Sequence, residues 1–294
     1  MSTIQTNATG QLHWEARRPQ LFKILVSVLT VVMVFVGLFE FIPAWIFKNP
    51  PDQPHLWHIA ELSALAVLLG GCMFGLIRRP QQKILLAQFI VLSTLLLAIG
   101  ITPFFIGGTG LLLLTAVFIF AYPDRSALRH LGRDGRLSYP LLGITAIFAI
   151  FLDPVIHQEI YYQIIGMTSN DVHALRLHWI GSALLMILLL LAGVMASTKR
   201  PGWQWLTTLI GLTYIFLGVI AIIIPDYAGS WAEWCGLMAI FGGALYIFVM
   251  FIEIERGKLR AQVTSPAPTL NEEMYKVQQE RRLASAHEGE LVEL

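Results

Sequence analysis

The chain has 294 residues, 56% of them apolar and only 13% charged, with a mean hydropathy of +0.66. A water-soluble body of this size cannot bury so much apolar surface, so the composition excludes a soluble domain and points to lipid as the solvent. Lys and Arg number 20 against 19 Asp and Glu, a formal charge of +1, which excludes the basic stripe of a nucleic-acid binder.

Residues 1–21 are polar and read as a cytoplasmic N-terminal segment. Apolar runs follow at 22–45, 57–77, 84–103, 105–122, 139–157, 178–197, 203–224 and 232–253. A helix of about 20 residues crosses ~30 Å of hydrocarbon, so these runs predict an all-α integral membrane protein, an eight-span helical bundle. The stretch 84–122 is nearly continuous and must fold back around Thr102-Pro103-Phe104-Phe105-Ile106-Gly107-Gly108. Seven spans would remain if one part of it were re-entrant.

Charge placement tests the count. With eight spans, all of the 20 Lys and Arg residues except Lys48 and Arg176 fall on one side. By the positive-inside rule that side is the cytoplasm, and both termini lie there, in a bacterial cytoplasmic membrane. Trp45, Trp57, Trp179, Trp231 and Trp234 then belt the outer interface, and Trp203 and Trp205 the inner one. Cys72 and Cys235 both lie in apolar runs and read as small buried hydrophobes, not as a disulfide or zinc framework. The tail, 259–294, begins with a Pro-containing linker. The sequence Thr269-Leu270-Asn271-Glu272 then has the form of a capping box opening a short charged helix.

The two halves, 22–138 and 139–258, share landmarks. His58 opens the second span and Arg78-Arg79-Pro80 closes it; His178 opens the sixth and Lys199-Arg200-Pro201 closes it. Glu40 before Pro43 is matched more loosely by Asp153 before Pro154, with Glu159 as a rival. Four spans per half give both halves one orientation, so the expectation is two tandem parallel four-helix repeats about an axis along the membrane normal. That duplication makes His58 and His178 symmetry mates at equal depth.

Ionisable side chains cluster at the outer ends of the spans, while the inner halves carry almost none. Carboxylates in hydrocarbon are costly and face a bundle interior or cavity. His58 and Glu61 stand at i,i+3 and share one helix face, and Asp153 and His157 stand at i,i+4. His173 and His178 bracket the entry to the sixth span. Imidazole with carboxylate suits Zn, Fe or Cu, so the candidate metal ligands are His58, Glu61, His178, Glu40, Asp153, His157 and His173. His58 and His178 are also candidate axial ligands of a haem. Asp52, His55, Asp171 and Glu233 read as loop residues. No hydrolase elbow, zinc-protease helix or phosphate loop is present in the sequence. Gly70-Gly71 with Gly75, and Gly236 with Gly242-Gly243, read as surfaces for close helix packing.

The His-Ala-x-x-x-His-Trp string from His173 to Trp179, with Tyr122-Pro123-Asp124-Arg125 ahead of a basic loop, resembles uncharacterised multi-spanning bacterial membrane proteins over residues 105–253. The resemblance implies a bacterial inner-membrane setting and no activity.

The sequence therefore leads to a polytopic membrane protein with a metal or haem site at its outer face, an accessory or electron-transfer subunit of a larger membrane complex. A small-solute or ion transporter using Glu40, Glu61 and Asp153 is the rival. A structural or assembly subunit without cofactor is the third reading. An enzyme of this kind would be a metal-dependent hydrolase or oxidase at the outer surface.

Overall fold

The computed structural model describes residues 7–46, 55–129 and 137–264, and beyond them positions 274, 278 and 279. Lys48, Asp52, Arg133, Arg136 and the capping sequence Thr269–Glu272 lie outside the described residues. Residues Met1–Met250 form one compact unit, which contains the site described below, and Phe251–Leu294 form a second.

Eight apolar helices carry the fold. They are α1 (Asn7–Phe41), α2 (Leu56–Ile77), α3 (Ile84–Ile101), α4 (Gly108–Ala121), α5 (Tyr139–Ser169), α6 (His178–Ser197), α7 (Trp203–Ile223) and α8 (Ala232–Thr264). There is no strand among the described residues. Seven of the helices are long and apolar enough to cross a membrane, and α4 is the shorter eighth. The protein is an all-α polytopic membrane bundle.

Two boundaries differ from the sequence reading, each for a physical reason. The apolar run at 105–122 yields 14 helical residues, because residues 102–107 are spent on the turn between α3 and α4. At 1.5 Å per residue this helix is about 21 Å long, short of the hydrocarbon thickness. The second difference is α5, which runs through Pro154 and on to Ser169, a helix of 31 residues where the polarity of 158–169 reads as loop. Leu152, Ile156, Glu159, Gln163 and Gly166 are its buried positions there. Their spacing is one helical face, so burial of that stripe, polar members included, prolongs the helix.

α2, α3, α6 and α7 are the central helices: 56–72% of their apolar windows is buried, against 22–33% for α1, α5 and α8. The periphery exposes Val31, Phe35, Ile150, Phe151, Phe241 and Phe248. In water such a surface would aggregate; facing acyl chains it is the expected exterior. α1 packs on α2, α5 on α6, α2 on α7, α3 on α6, α2 on α3 and α6 on α7. At the basic end, the Lys83 ammonium donates to the Gly75 carbonyl at 2.8 Å and the Trp205 indole to that of Gly71 at 2.8 Å. Cys72 is buried, but Cys235 is exposed on α8, contrary to its sequence reading.

α7 and α8 approach through glycine. A Cβ added at Gly218 would stand 2.5 Å from the Gly236 carbonyl oxygen, and one at Gly243 would stand 2.5 Å from that of Gly211. The pairing places Gly211 and Gly218, one heptad apart on α7, against Gly243 and Gly236 on α8. Only a residue without a side chain lets two backbones meet this closely.

Candidate metal centre

The end of the bundle opposite the basic one carries a cavity of about 440 Å³, lined by Glu40 from α1, His55, His58 and Glu61 from α2 and its cap, Arg176 from the loop, and His178 and Ser182 from α6, among others. Ile59, Leu62, Leu65 and Leu185 form its deeper wall.

Local sequence explains how these groups meet. Asn170 ends α5 in the left-handed region that suits Asn at a helix C-terminus. Asp171 then caps the one-turn helix Val172–Leu175, its carboxylate accepting the Ala174 N–H at 3.2 Å and the Trp179 indole N–H at 2.9 Å. The other Asp171 oxygen lies 3.5 Å from His173 Nδ1. Leu177, at φ 62, turns the chain into α6. A leucine is sterically strained there, and what holds it is Gln163 of α5. The Gln163 amide donates to the Ala174 carbonyl at 2.8 Å and accepts the Ile180 N–H at 3.1 Å. Replacing Gln163 by Leu leaves the buried Ile180 N–H unpaired, at about 1–3 kcal/mol, and takes one of two donors from the Ala174 carbonyl, which keeps the Leu177 N–H at 2.9 Å. The expected result is a marked fall in the melting temperature of the detergent-solubilised protein, read by scanning fluorimetry; an unchanged melting temperature would show that the loop holds itself.

Four histidines converge as a result. Ring centroids are 4.6 Å apart for His55 and His173, 4.8 Å for His55 and His178, and 4.7 Å for the stacked His58 and His178. One ring nitrogen from each of His55, His173 and His178 lies within 4.8 Å of the other two. Each of the three also has a buried ring nitrogen with no protein partner among the described residues: Nδ1 of His55, Nε2 of His173 and Nδ1 of His178. Beside them His58 Nδ1 is 3.1 Å from Glu61 Oε2, and the Ser182 hydroxyl donates to that same oxygen. Both residues are almost fully enclosed, His58 at 6% and Glu61 at 5% exposure.

The electrostatics favour neutral imidazole at the mouth. Burial lowers the His55 pKa, and the neighbouring His173, Arg176 and His58 charges lower it further. The Asp171 carboxyl is held below its usual value, chiefly by the Trp179 indole hydrogen bond. A carboxylate kept ionised beside His173 orients that imidazole as outer carboxylates orient metal-ligating histidines.

The structure thus brings His58, Glu61 and His178 to one cavity, with Glu40 on its wall and the His173 ring 5.5 Å from that of His58. Asp153 and His157 are elsewhere: they pair with each other at 3.5 Å, with side chains 69% and 75% exposed. Their face of α5 is opposite the one that buries Glu159 and Gln163. His55 and Asp171, read from sequence as loop residues, are part of the cluster. The spacing that marks them is Asp171 two residues before His173, and His55 three before His58, each a second polar group within a turn of a candidate ligand.

Compared with family models, with curated proteins and with solved structures, the chain matches none.

Proposed function

We propose that this membrane protein binds a divalent transition metal ion through His55, His173 and His178. The observation that carries the reading is that three histidines from two separate segments bring ligand atoms within 4.8 Å of one another, each residue keeping a buried nitrogen free of protein partners among the described residues. Buried polar atoms are nearly always satisfied, so three left open in one place favour an external ligand. Imidazole donors suit zinc, copper or iron, at ~2.0–2.1 Å for zinc. Around one ion at that distance three tetrahedral nitrogens stand ~3.3 Å apart, inside the 4.8 Å that bounds them here. An ion fits better than a haem: His58 and His178 stack face to face at 4.7 Å, which leaves no space for a macrocycle between them.

By the charge asymmetry of the loops we place the basic end in the cytoplasm, in a bacterial membrane, and the metal centre at the outer face. The packing order supports a duplicated architecture. Laying α1–α4 on α5–α8 carries the α1·α2 contact onto α5·α6, α2·α3 onto α6·α7, and α2·α7 onto α6·α3. The axis then passes between α2 and α6, where His58 and His178 meet.

The test is zinc retention. Protein purified in detergent, loaded with zinc and desalted should keep at least one equivalent per chain. A chain that keeps none after loading with zinc, copper(II) or iron(II) in turn has no such centre.

A further inference from the structure

Glu61 is the enclosed acid of the cavity, whereas Glu40 is exposed. The Glu61 carboxylate is 5% exposed, about one turn further into α2 than His58, in a helix that reads as spanning lipid. One oxygen has partners, but Oε1 has none among the described residues, and the Trp57 indole approaches without reaching hydrogen-bond geometry. A second buried carboxylate, Glu159 on α5, stands close enough to interact with Glu61 electrostatically and has its own unpartnered oxygen, Oε2. Among the described residues neither acid is paired with a lysine or arginine. The charged and titratable groups that line the cavity with Glu61 are Glu40 from α1, His55 and His58 at the start of α2, His178 on α6, and Arg176, which makes no ion pair with either acid; Glu159 on α5 interacts with Glu61 electrostatically. An enclosed acid with no base in contact either holds its proton or binds a cation.

The donor atoms around Glu61 already stand at ligand spacing. His58 Nδ1 is 3.1 Å from Glu61 Oε2 and 3.4 Å from Ser182 Oγ, and Ser182 Oγ also contacts Glu61 Oε2. Tetrahedral ligand atoms held at ~2.0–2.2 Å from one small ion stand ~3.3–3.6 Å apart, close to the two distances from His58 Nδ1, and the nearer Ser182–Glu61 pair opens to admit the ion.

We propose that the cavity holds a second divalent-metal position, bound by His58 Nδ1, the Glu61 carboxylate and Ser182 Oγ, one helical turn deeper than the histidine triad. This rests on the reading of the triad as a metal centre. It deepens that reading from a single ion to a pair of neighbouring positions, an imidazole one at the mouth and a carboxylate-containing one beneath it. The lower ion supplies a counter-charge for Glu61, with which Glu159 interacts electrostatically. Two ions in one cavity form a two-metal centre rather than a through-path, since the lining beyond Glu61 and Ser182, with Leu65 and Leu185, is apolar.

Zinc stoichiometry by equilibrium dialysis of the full chain in detergent tests this. Wild type should bind two equivalents; Glu61→Gln and His173→Ala should each bind one. Retention of one equivalent by Glu61→Gln also reports that the variant is folded. Should Glu61→Gln lose both, Ser182→Ala carries the test, and it should weaken only one of the two equivalents, by more than the ~10–100-fold that an orienting group is worth. Wild type binding one equivalent that survives Glu61→Gln overturns the second position. One equivalent lost in both variants overturns it too, by showing a single shared site. One equivalent lost in Glu61→Gln but kept in His173→Ala overturns the triad instead and leaves the deeper position standing. Two equivalents retained in Glu61→Gln exclude that carboxylate as a ligand.

Discussion

Gly218→Val is expected to disrupt the bundle, while Gly143→Ala is expected to leave it intact. A Cβ at Gly218 meets the Gly236 carbonyl oxygen at 2.5 Å, the Ile240 Cγ1 at 2.8 Å and the Ile240 backbone nitrogen at 3.0 Å. Two of those three atoms are backbone and cannot rotate aside. Relief requires α7 and α8 to separate, which also opens the Gly211–Gly243 contact a heptad away. Overpacking of a well-fitted core costs about 1–3 kcal/mol, and a collision with backbone belongs at or above the upper end. Gly143, on α5, has nothing within 4 Å of its added Cβ, and an exposed helical Gly→Ala gains up to ~1 kcal/mol from propensity. Both variants are read by melting temperature in detergent and by monodispersity. Equal stability of Gly218→Val and wild type would mean that α7 and α8 do not meet through these glycines.

His173→Ala and His157→Ala should differ sharply in metal affinity, although both histidines lie between Pro154 and the start of α6. His173 sits on the one-turn helix that faces His55 and His178. His157 is 75% exposed on α5 and bonded to its own helix, Nδ1 lying 2.9 Å from the Asp153 carbonyl. Loss of an orienting carboxylate at a metal centre costs about 10–100-fold in affinity, so loss of a ligand should weaken zinc by more than that. Asp171→Asn, which weakens the orientation of His173 and the cap at once, falls in the 10–100-fold range. His157→Ala should be unchanged. A competition assay with a chromophoric zinc chelator measures all three. A His157→Ala protein as weak as His173→Ala would relocate the centre to the other face of α5.

How far the sequence anticipates this arrangement depends on which signal each part uses. Span positions follow from hydropathy, which depends on composition alone, and seven of the eight apolar runs become helices long enough to cross a bilayer. The eighth is shortened because Pro103 and the Gly107-Gly108 pair put a turn inside an apolar run, where hydropathy sees no break. The second half of α5 escapes hydropathy for the opposite reason. Glu159 and Gln163 make it look like loop, yet both are buried, and Gln163 completes the 174–180 turn.

The site divides in the same way. His58 with Glu61 is legible because i,i+3 spacing fixes a shared face whatever the tertiary fold. Asp153 with His157 has equally good local spacing, and the structure turns that face outward; only packing decides which stripe of α5 is buried. His55 and His173 are brought together by a loop whose path depends on Leu177 adopting a left-handed conformation and on Gln163 reaching across from α5. Neither leaves a mark that a single sequence can show.

X-ray absorption at the zinc edge, on the zinc-loaded His58→Ala, Glu61→Gln double variant to leave the triad alone, tests the central claim most directly. The account predicts three imidazole ligands at about 2.0–2.1 Å with the outer-shell scattering that histidine rings give, completed by one oxygen. A shell of oxygen donors only, or of fewer than two imidazoles, would contradict it.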